Sequence, residues 1–361
     1  MGAAIKVTKM FDFVFIGTGA PCLLEAAFWS LKGKSVLMID QENEIGGAWK
    51  SLNIFGYTNV ENAVHYFLDN TLGIKFLQNK LNVPIEISSN KYRVFQFPLS
   101  VSIKLPFDNK FGKVISCFIG NFPPKINYII KSIIEPNKKS FYIKGGAPIL
   151  LKRIKKLLKK TNVQFLMATK LTKIVKRRNY LILSAGEKRL KAKTVFFSHG
   201  TRLSFLNKKS RKIIKEKNYR RPSIHLLIKD DDEVLGNEFI FCDDKMIKYV
   251  HNITRFAKKR GNRTPNQKIF VIALQPNILK NNKTIQNIFK KLKTSGCISK
   301  NAKLLQYFWQ EIYLPRINDS DLFKLKALYD PFGKILFTEN FTFAIANRAK
   351  AWSTIFKSFK C

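Results

Sequence analysis

The sequence predicts an α/β protein that opens on a βαβ unit and carries a second, mixed sheet in its later half. Three observations predict it. "DFVFIG" (Asp12 to Gly17) and "KSVLMID" (Lys34 to Asp40) are short apolar runs rich in β-branched and aromatic residues, the kind buried on both faces of a parallel sheet. Between them, "PCLLEAAFWSLKG" (Pro21 to Gly33) reads as a helix stopped by glycine. Runs of the same buried-strand type return at Thr194 to Ser198, at "SIHLLIKD" (Ser223 to Asp230) and at "KIFVIALQP" (Lys268 to Pro276).

The turn between the first strand and helix carries Gly17 and Gly19, with Ala20 opening the helix and Cys22 where a third glycine would complete a GxGxxG motif. The first glycine permits the sharp strand-to-helix turn. The second lets the backbone approach a pyrophosphate, which then sits at a helix N-terminus whose free N–H groups favour anions. The third position governs helix–strand packing, where a small residue such as Cys22 serves, and Ala26 and Ala27 keep the helix slim where it crosses the sheet. Asp40 stands at the end of the second strand, 23 positions after Gly17 (40 − 17). An acid there can accept both hydroxyls of an adenosine ribose and disfavours a 2′-phosphate. The alternative for Asp40 is a solvated carboxylate at a strand end.

Beyond Trp49 a helix is predicted from about Asn70. "YRVFQFPLSVSIKLPFD" alternates and contains prolines, as edge or antiparallel strands do. "PPKINYIIKSIIEP" reads as a helix between prolines, and "GGAPILLKRIKKLLKKTN" as a helix opened by a glycine pair. The stretch from Val163 to Gly200 reads as three strands. Asn207 to Pro222 is a charge run with the look of a linker or surface helix. "KNNKTIQNIFKKLKTSG" is an amphipathic helix, "ILFTEN" a short buried strand, and "FTFAIANRAKAWSTIFKSF" a final helix.

Six positions after Asp40 (46 − 40) comes "IGGAW", with Gly46, Gly47, Ala48 and Trp49. With the glycine turn and the acidic strand end, this pattern resembles the FAD-binding proteins related to flavin-containing amine oxidases, protoporphyrinogen oxidase, phytoene desaturase and UDP-galactopyranose mutase. Ala48 and Trp49 stand where many amine oxidases continue with arginine. "VENAVHYF" (Val60 to Phe67) is similar to a segment lining the flavin region that often reads acidic–x–Gly–x–His–x–Phe. Glu61 and His65 match it, and Ala63 replaces the glycine. "KGGAPILLKRI" resembles the glycine pair and helix that return the chain to the FAD domain. In "VQFLMATKLTKI" the family's backbone contact to adenine falls near Leu171. In "ILFTEN" the acid that the family places near the flavin pyrimidine is Glu339, with Thr338 in place of glycine. A second GxGxxG, as flavin monooxygenases have, is absent from the sequence.

The resemblance spans residues 11 to about 355. It implies a discontinuous Rossmann-like FAD-binding domain (1–90, 141–205 and 321–361) with an inserted mixed α+β substrate domain (91–140 and 206–320). The resemblance also implies FAD as the cofactor, bound by Gly17, Gly19, Ala20, Asp40, Gly46, Gly47, Ala48, Trp49, Leu171 and Glu339. His65 is the candidate catalytic residue, as an acid–base group or a donor to the cofactor, against the alternative of a satisfied structural histidine. Trp49 can stack on ring or substrate or be a core aromatic. His199 reads as a turn residue. His251, Asn252 and Arg255 could contact an anionic substrate, against a hairpin or surface role for Tyr249 to Arg255.

Composition bounds the rest. With 361 residues and 45% hydrophobic content there is material for more than one core. Five scattered cysteines without a CxxC pair, and four dispersed histidines, argue against a disulfide framework and a metal site. The N-terminal stretch lacks the pattern of a leader or a myristoylation signal, no run has the length of a spanning helix, and a cytoplasmic location is the expectation. The formal charge of +41 suggests a polyanionic partner. Lys, Asn, Ile and Phe all have AT-rich codons, however, so genome bias accounts for it first. The bases are spread along the chain, which speaks against nucleic acid as the partner. The helix Ile149 to Lys160 could lie on an anionic membrane or simply cover a sheet. The run Lys208 to Arg221 could bind phosphate groups or be a solvated linker.

These readings give an FAD-dependent, amine-oxidase-like oxidoreductase acting on a small molecule that could be anionic. The alternatives are a flavin-dependent mutase-like enzyme on a nucleotide sugar, and a catalytically inactive flavin-fold protein that binds membrane or a polyanion.

Overall fold

A computed structural model describes residues 10–62, 65–68, 71–93, 139–197, 217–232, 239–242, 244–259, 261, 265–316 and 335–337. The predicted strands in 92–108, the helix around 123–136, His199 and the final helix lie largely or wholly outside these residues.

The βαβ unit is β1 (Met10–Ile16), α1 (Ala20–Leu31) and β2 (Val36–Ile39). Phe13 and Phe15 point to one face of β1 and Val14 and Ile16 to the other, as the two-residue strand period requires. A single 3₁₀ turn, Gly47–Trp49, leads to β3 (Ser51–Ile54), β4 (Tyr57–Glu61), β5 (Tyr66–Leu68) and α2 (Thr71–Asn79). Then come β6 (Ile85–Arg93), β7 (Lys139–Ile143) and α3 (Ala147–Leu158). Four strands follow where three are predicted: β8 (Gln164–Leu166), β9 (Leu171–Lys176), β10 (Leu181–Ala185) and β11 (Lys188–Phe197). The extra strand arises because the turn at Met167–Lys170 splits one apolar run between two different partners, β2 and β10.

In the seven-stranded sheet the order is β8-β2-β1-β11-β10-β9. β8, β2, β1 and β11 are parallel, and β9–β10–β11 form an antiparallel meander. β18 (Ile335–Phe337), late in the chain, joins parallel to the Val195–Phe197 half of β11. α1, α2 and α3 bury their apolar residues with Phe15, Met38 and Phe196 on one face. On the other face Val14, Ile16, Leu37 and Ile39 pack with Leu171, Ile174, Leu181 and Leu183 of the meander. The apolar stripe of α3, Leu150, Leu151, Ile154 and Leu158, belongs to the first of these cores. This helix therefore covers the sheet, and its apolar stripe is not available to a lipid surface.

The second sheet has eight strands and runs β17-β12-β16-β14-β13-β6-β7-β5. It adds β12 (Lys217–Lys229), β13 (Phe239–Cys242), β14 (Ile247–Asn252), β16 (Gln267–Leu274) and β17 (Lys303–Arg316). The amphipathic helix α4 (Asn282–Thr294) lays Ile285, Ile288, Phe289 and Leu292 against it, and Asn281 caps its start by accepting from the Thr284 N–H at 2.7 Å. The charge run predicted as linker or surface helix is corrected over Lys217–Pro222. That part is strand, paired with Glu311–Arg316 of β17. Arg220 explains how a basic run survives there: its guanidinium pairs with Glu311 and donates to the Ile278 carbonyl at 2.8 Å.

A small third sheet, β15 (Lys258–Lys259), β4 and β3, joins the two halves. Around it Tyr57, Val60, Tyr142, Leu227, Phe256 and Ile269 form a separate apolar core. This core packs the small sheet against the second large sheet, and buried polar groups there must find partners. Among the described residues, no helix is long and apolar enough to cross a membrane.

Candidate functional site

Gly17 sits at φ 106°, a region that L side chains rarely adopt, and its N–H donates to the Ile39 carbonyl at 2.8 Å. The chain thus turns off β1 while still tied to β2. Gly19 precedes α1, whose first turn contains Pro21, no acidic residue and no side-chain cap. The first N–H groups of a helix lack intrahelical acceptors, so this end is suited to an anion. Gly19 has an ordinary extended backbone, φ −59° and ψ 152°, and a Cβ placed on it meets nothing within 4 Å. Neither strain nor packing within the described protein calls for glycine here, whereas a ligand lying against the turn would. Cys22 is 1% exposed and packs in the helix-side core with Ala26 and Ala27. It fills the third-glycine position as a core side chain.

The glycine pair comes directly against this turn. Gly19 and Gly46 form a parallel bridge, and the Gly46 N–H donates to the Thr18 carbonyl at 2.9 Å. A Cβ on Gly47, at φ 54°, would lie 3.3 Å from the Gly19 Cα. The two motifs, 27 residues apart (46 − 19), are one structure. Ala20 is buried at the start of α1, Ala48 is exposed, and Trp49 is 8% exposed.

Asp40 closes the same edge. Its Oδ2 accepts from the Thr18 N–H at 2.8 Å and the Thr18 hydroxyl at 2.5 Å, and its Oδ1 accepts from the Glu42 N–H at 3.1 Å. A carboxylate has about four acceptor sites, so lone pairs remain for ribose hydroxyls. The Asp40 and Glu42 carbonyls accept from Thr169 and Ala168 N–H groups, both at 2.8 Å. The backbone running beside Asp40 is therefore Leu166–Thr169. Leu171 lies further on, buried in the opposite core and paired with Ala185. Glu339 lies outside the described residues.

His65 sits at the other end of the glycine pair. Its ring stacks on Trp49, with centroids 4.1 Å apart and planes at 27°. Glu61 Oε2 is 3.8 Å from His65 Nδ1, and both side chains are 3% exposed. Glu61 Oε1 accepts from the Ala147 N–H at 2.8 Å and so caps α3. Gly146 allows this approach, since its Cβ would stand 3.0 Å from that oxygen. The Glu61 carbonyl meets His225 Nε2 at 2.9 Å, which ties β4 to β12 of the second sheet. Sequence reasoning finds Glu61 only as a motif match. Its capping role and its link to His225 come from residues 86 and 164 positions away.

Tyr249 to Asn252 belong to the second arm of the β13–β14 hairpin, as one reading of the segment has it, but the surface part of that reading is corrected, since Val250 to Ile253 are buried. His251 is fully buried and stacks on Tyr142 at 5.3 Å, because β14 is an inner strand of the second sheet. Arg255 pairs with Glu86 at 2.8 Å and lies over the Phe256 ring at 4.6 Å. Burial pushes His225 down to about 4; its contact with the Glu61 carbonyl opposes this. Burial, with Arg255 nearby, pushes His251 down to about 3. Burial also lowers Arg255, against the opposing pull of Glu86, Tyr142 and Glu61. Both histidines are held neutral within the second sheet.

No family model and no curated protein matches the chain. Solved structures do. Reduced UDP-galactopyranose mutase superposes with a TM-score of 0.68 at 10% identity, over 97% of this chain and 95% of that one. Wild-type putrescine oxidase bound to putrescine gives 0.63 at 12% identity, over 98% and 97%. An oxidoreductase from Methanosarcina mazei gives 0.59 at 15% identity, over 92% and 95%. With the glycine turn, the acid and the glycine pair brought to one edge of a parallel sheet, the chain has the fold of the flavin-dependent, amine-oxidase-like enzymes.

Proposed function

We propose that this protein is an FAD-dependent oxidoreductase of the amine-oxidase-like class that acts on a small molecule. The observation that carries the reading is the junction of Gly19, Gly46 and Asp40 at the uncapped N-terminus of α1, with open space over Gly19. Gly17, Gly19 and Ala20 would hold the pyrophosphate through backbone groups, Asp40 the ribose, and Gly46 to Trp49 the adjoining part of the cofactor. FAD would supply hydride or electron transfer. The chain's own residues bind and orient it, and the packed Trp49–His65–Glu61 group excludes water beside it. In this reading the FAD domain comprises 1–90, 141–205 and 321–361, the inserted substrate domain comprises 91–140 and 206–320, and the location is cytoplasmic.

An absorbance spectrum of the purified protein, with chromatography of heat-released cofactor, tests this. Flavin bands and released FAD are expected. A colourless protein that takes up no added FAD would overturn the reading. The likeness to UDP-galactopyranose mutase and the +41 charge favour a second reading, a mutase-like enzyme on an anionic nucleotide sugar. Turnover that requires dithionite-reduced protein and consumes no electron acceptor would select it.

A further inference from the structure

His65 is almost wholly buried, yet among the described residues its Nδ1 is buried without a hydrogen-bond partner. A buried, unpaired polar group is costly and calls for a partner. Trp49 covers one face of the ring and restrains its plane. The polar atom facing Nδ1 is Glu61 Oε2, at 3.8 Å. Glu61 is itself held, because its other oxygen caps α3 at Ala147 and its carbonyl meets His225.

An ionised carboxylate accepts and cannot donate. Glu61 already acts as an acceptor, toward the Ala147 N–H at 2.8 Å. A neutral imidazole facing it therefore carries its proton on Nδ1, and Nε2 is left with a lone pair. We propose that Glu61 is a positioning residue that fixes the tautomer of His65, so that Nε2 presents a hydrogen-bond acceptor to whatever ligand fills this side of the site. The ligand group meeting it must carry an N–H or O–H. The tautomer follows from Glu61 alone; the role toward a ligand rests on the flavin-site reading above.

The experiment is NMR of the full chain, as purified, labelled with 15N-histidine at pH 8. Only four histidines contribute, and His65→Gln identifies the signal. Neutral His65 with its proton on Nδ1 is expected in the wild type and in Glu61→Asp. Glu61→Gln, whose amide can donate to Nδ1, moves the proton to Nε2. A wild-type proton on Nε2, a cationic His65, or an unchanged tautomer in Glu61→Gln would overturn the proposal. If Glu61→Gln fails to fold, the wild-type and Glu61→Asp spectra decide. FAD binding with the wrong tautomer sinks this inference alone, and the right tautomer without FAD binding sinks the flavin reading alone.

Discussion

Thr18 gives both its backbone N–H and its hydroxyl to a single oxygen of Asp40. The residue between the two turn glycines is thus locked to the end of the neighbouring strand, and the phosphate turn and the acidic strand end form one hydrogen-bonded unit. Thr18→Val removes the hydroxyl donor and is expected to cost about 1–2 kcal/mol, while Asp40→Ala orphans the Thr18 amide and costs about 1–3 kcal/mol. Only Asp40→Ala should also weaken FAD binding at least tenfold. Urea unfolding and fluorescence titration with FAD measure the two effects.

The glycines separate conformation from contact. Gly47→Ala places a Cβ at φ 54° and 3.3 Å from the Gly19 backbone, so a loss of about 1–3 kcal/mol in stability is expected. Gly19→Ala meets neither strain nor neighbours. It should leave the thermal midpoint within about 2 °C, in line with surface-type changes within about 0.5 kcal/mol, and still abolish FAD uptake. Retained uptake in Gly19→Ala would show that no ligand occupies the space over this turn.

Stability should depend on pH through His225 and His251. Their folded pKa values, about 4 and about 3, lie below the ordinary value of 6.5. Between these limits the unfolded chain binds protons that the folded chain refuses, so stability is full above pH 6.5 and falls as pH decreases. With two such groups the slope approaches about 2.7 kcal/mol per pH unit between pH 6 and pH 4. Asp12, lowered to about 2 chiefly by Lys193, acts below this window. Urea unfolding from pH 7.5 to 4.5 measures the slope, and His225→Gln should remove close to half of it.

Arg220 is expected to be a stability residue of the second sheet. Arg220→Ala removes the donor of the Ile278 carbonyl and the guanidinium partner of Glu311, which keeps the Trp309 indole N–H, at a cost of about 1–3 kcal/mol. Arg220→Lys should recover only part of that, since an ammonium cannot reproduce the forked contact. A phosphate-binding role for this segment would instead appear as lost ligand affinity with stability unchanged.

The N-terminal unit was legible because its signals are local. Strand runs of four consecutive apolar residues (Phe13 to Ile16 and Val36 to Ile39), a helix with small residues at its crossing, and Gly17, Gly19, Asp40 and Gly46–Gly47 at fixed separations encode one edge of a sheet within 40 residues. The helices 71–79, 147–158 and 282–294 were legible from their 3.6-residue periodicity in the same way. β17 was not, because its Gln, Glu and Lys residues interrupt the strand pattern and, among the described residues, only β12, some 80 residues earlier, pairs with it. The charge run before Ser223 was misread for the same reason: Arg220 is tolerated in a strand because Glu311 faces it.

By itself the sequence determined the glycine turn, the acid that ends the second strand and the apolar faces of the helices, since each depends on neighbours close along the chain. Tertiary structure alone decided that Asp40 grips Thr18, that Leu166–Thr169 runs beside it, and that Glu61 joins α3, His65 and His225. These contacts link residues 22 to 164 positions apart, and their partners are chosen by sheet order and burial, which no local pattern encodes.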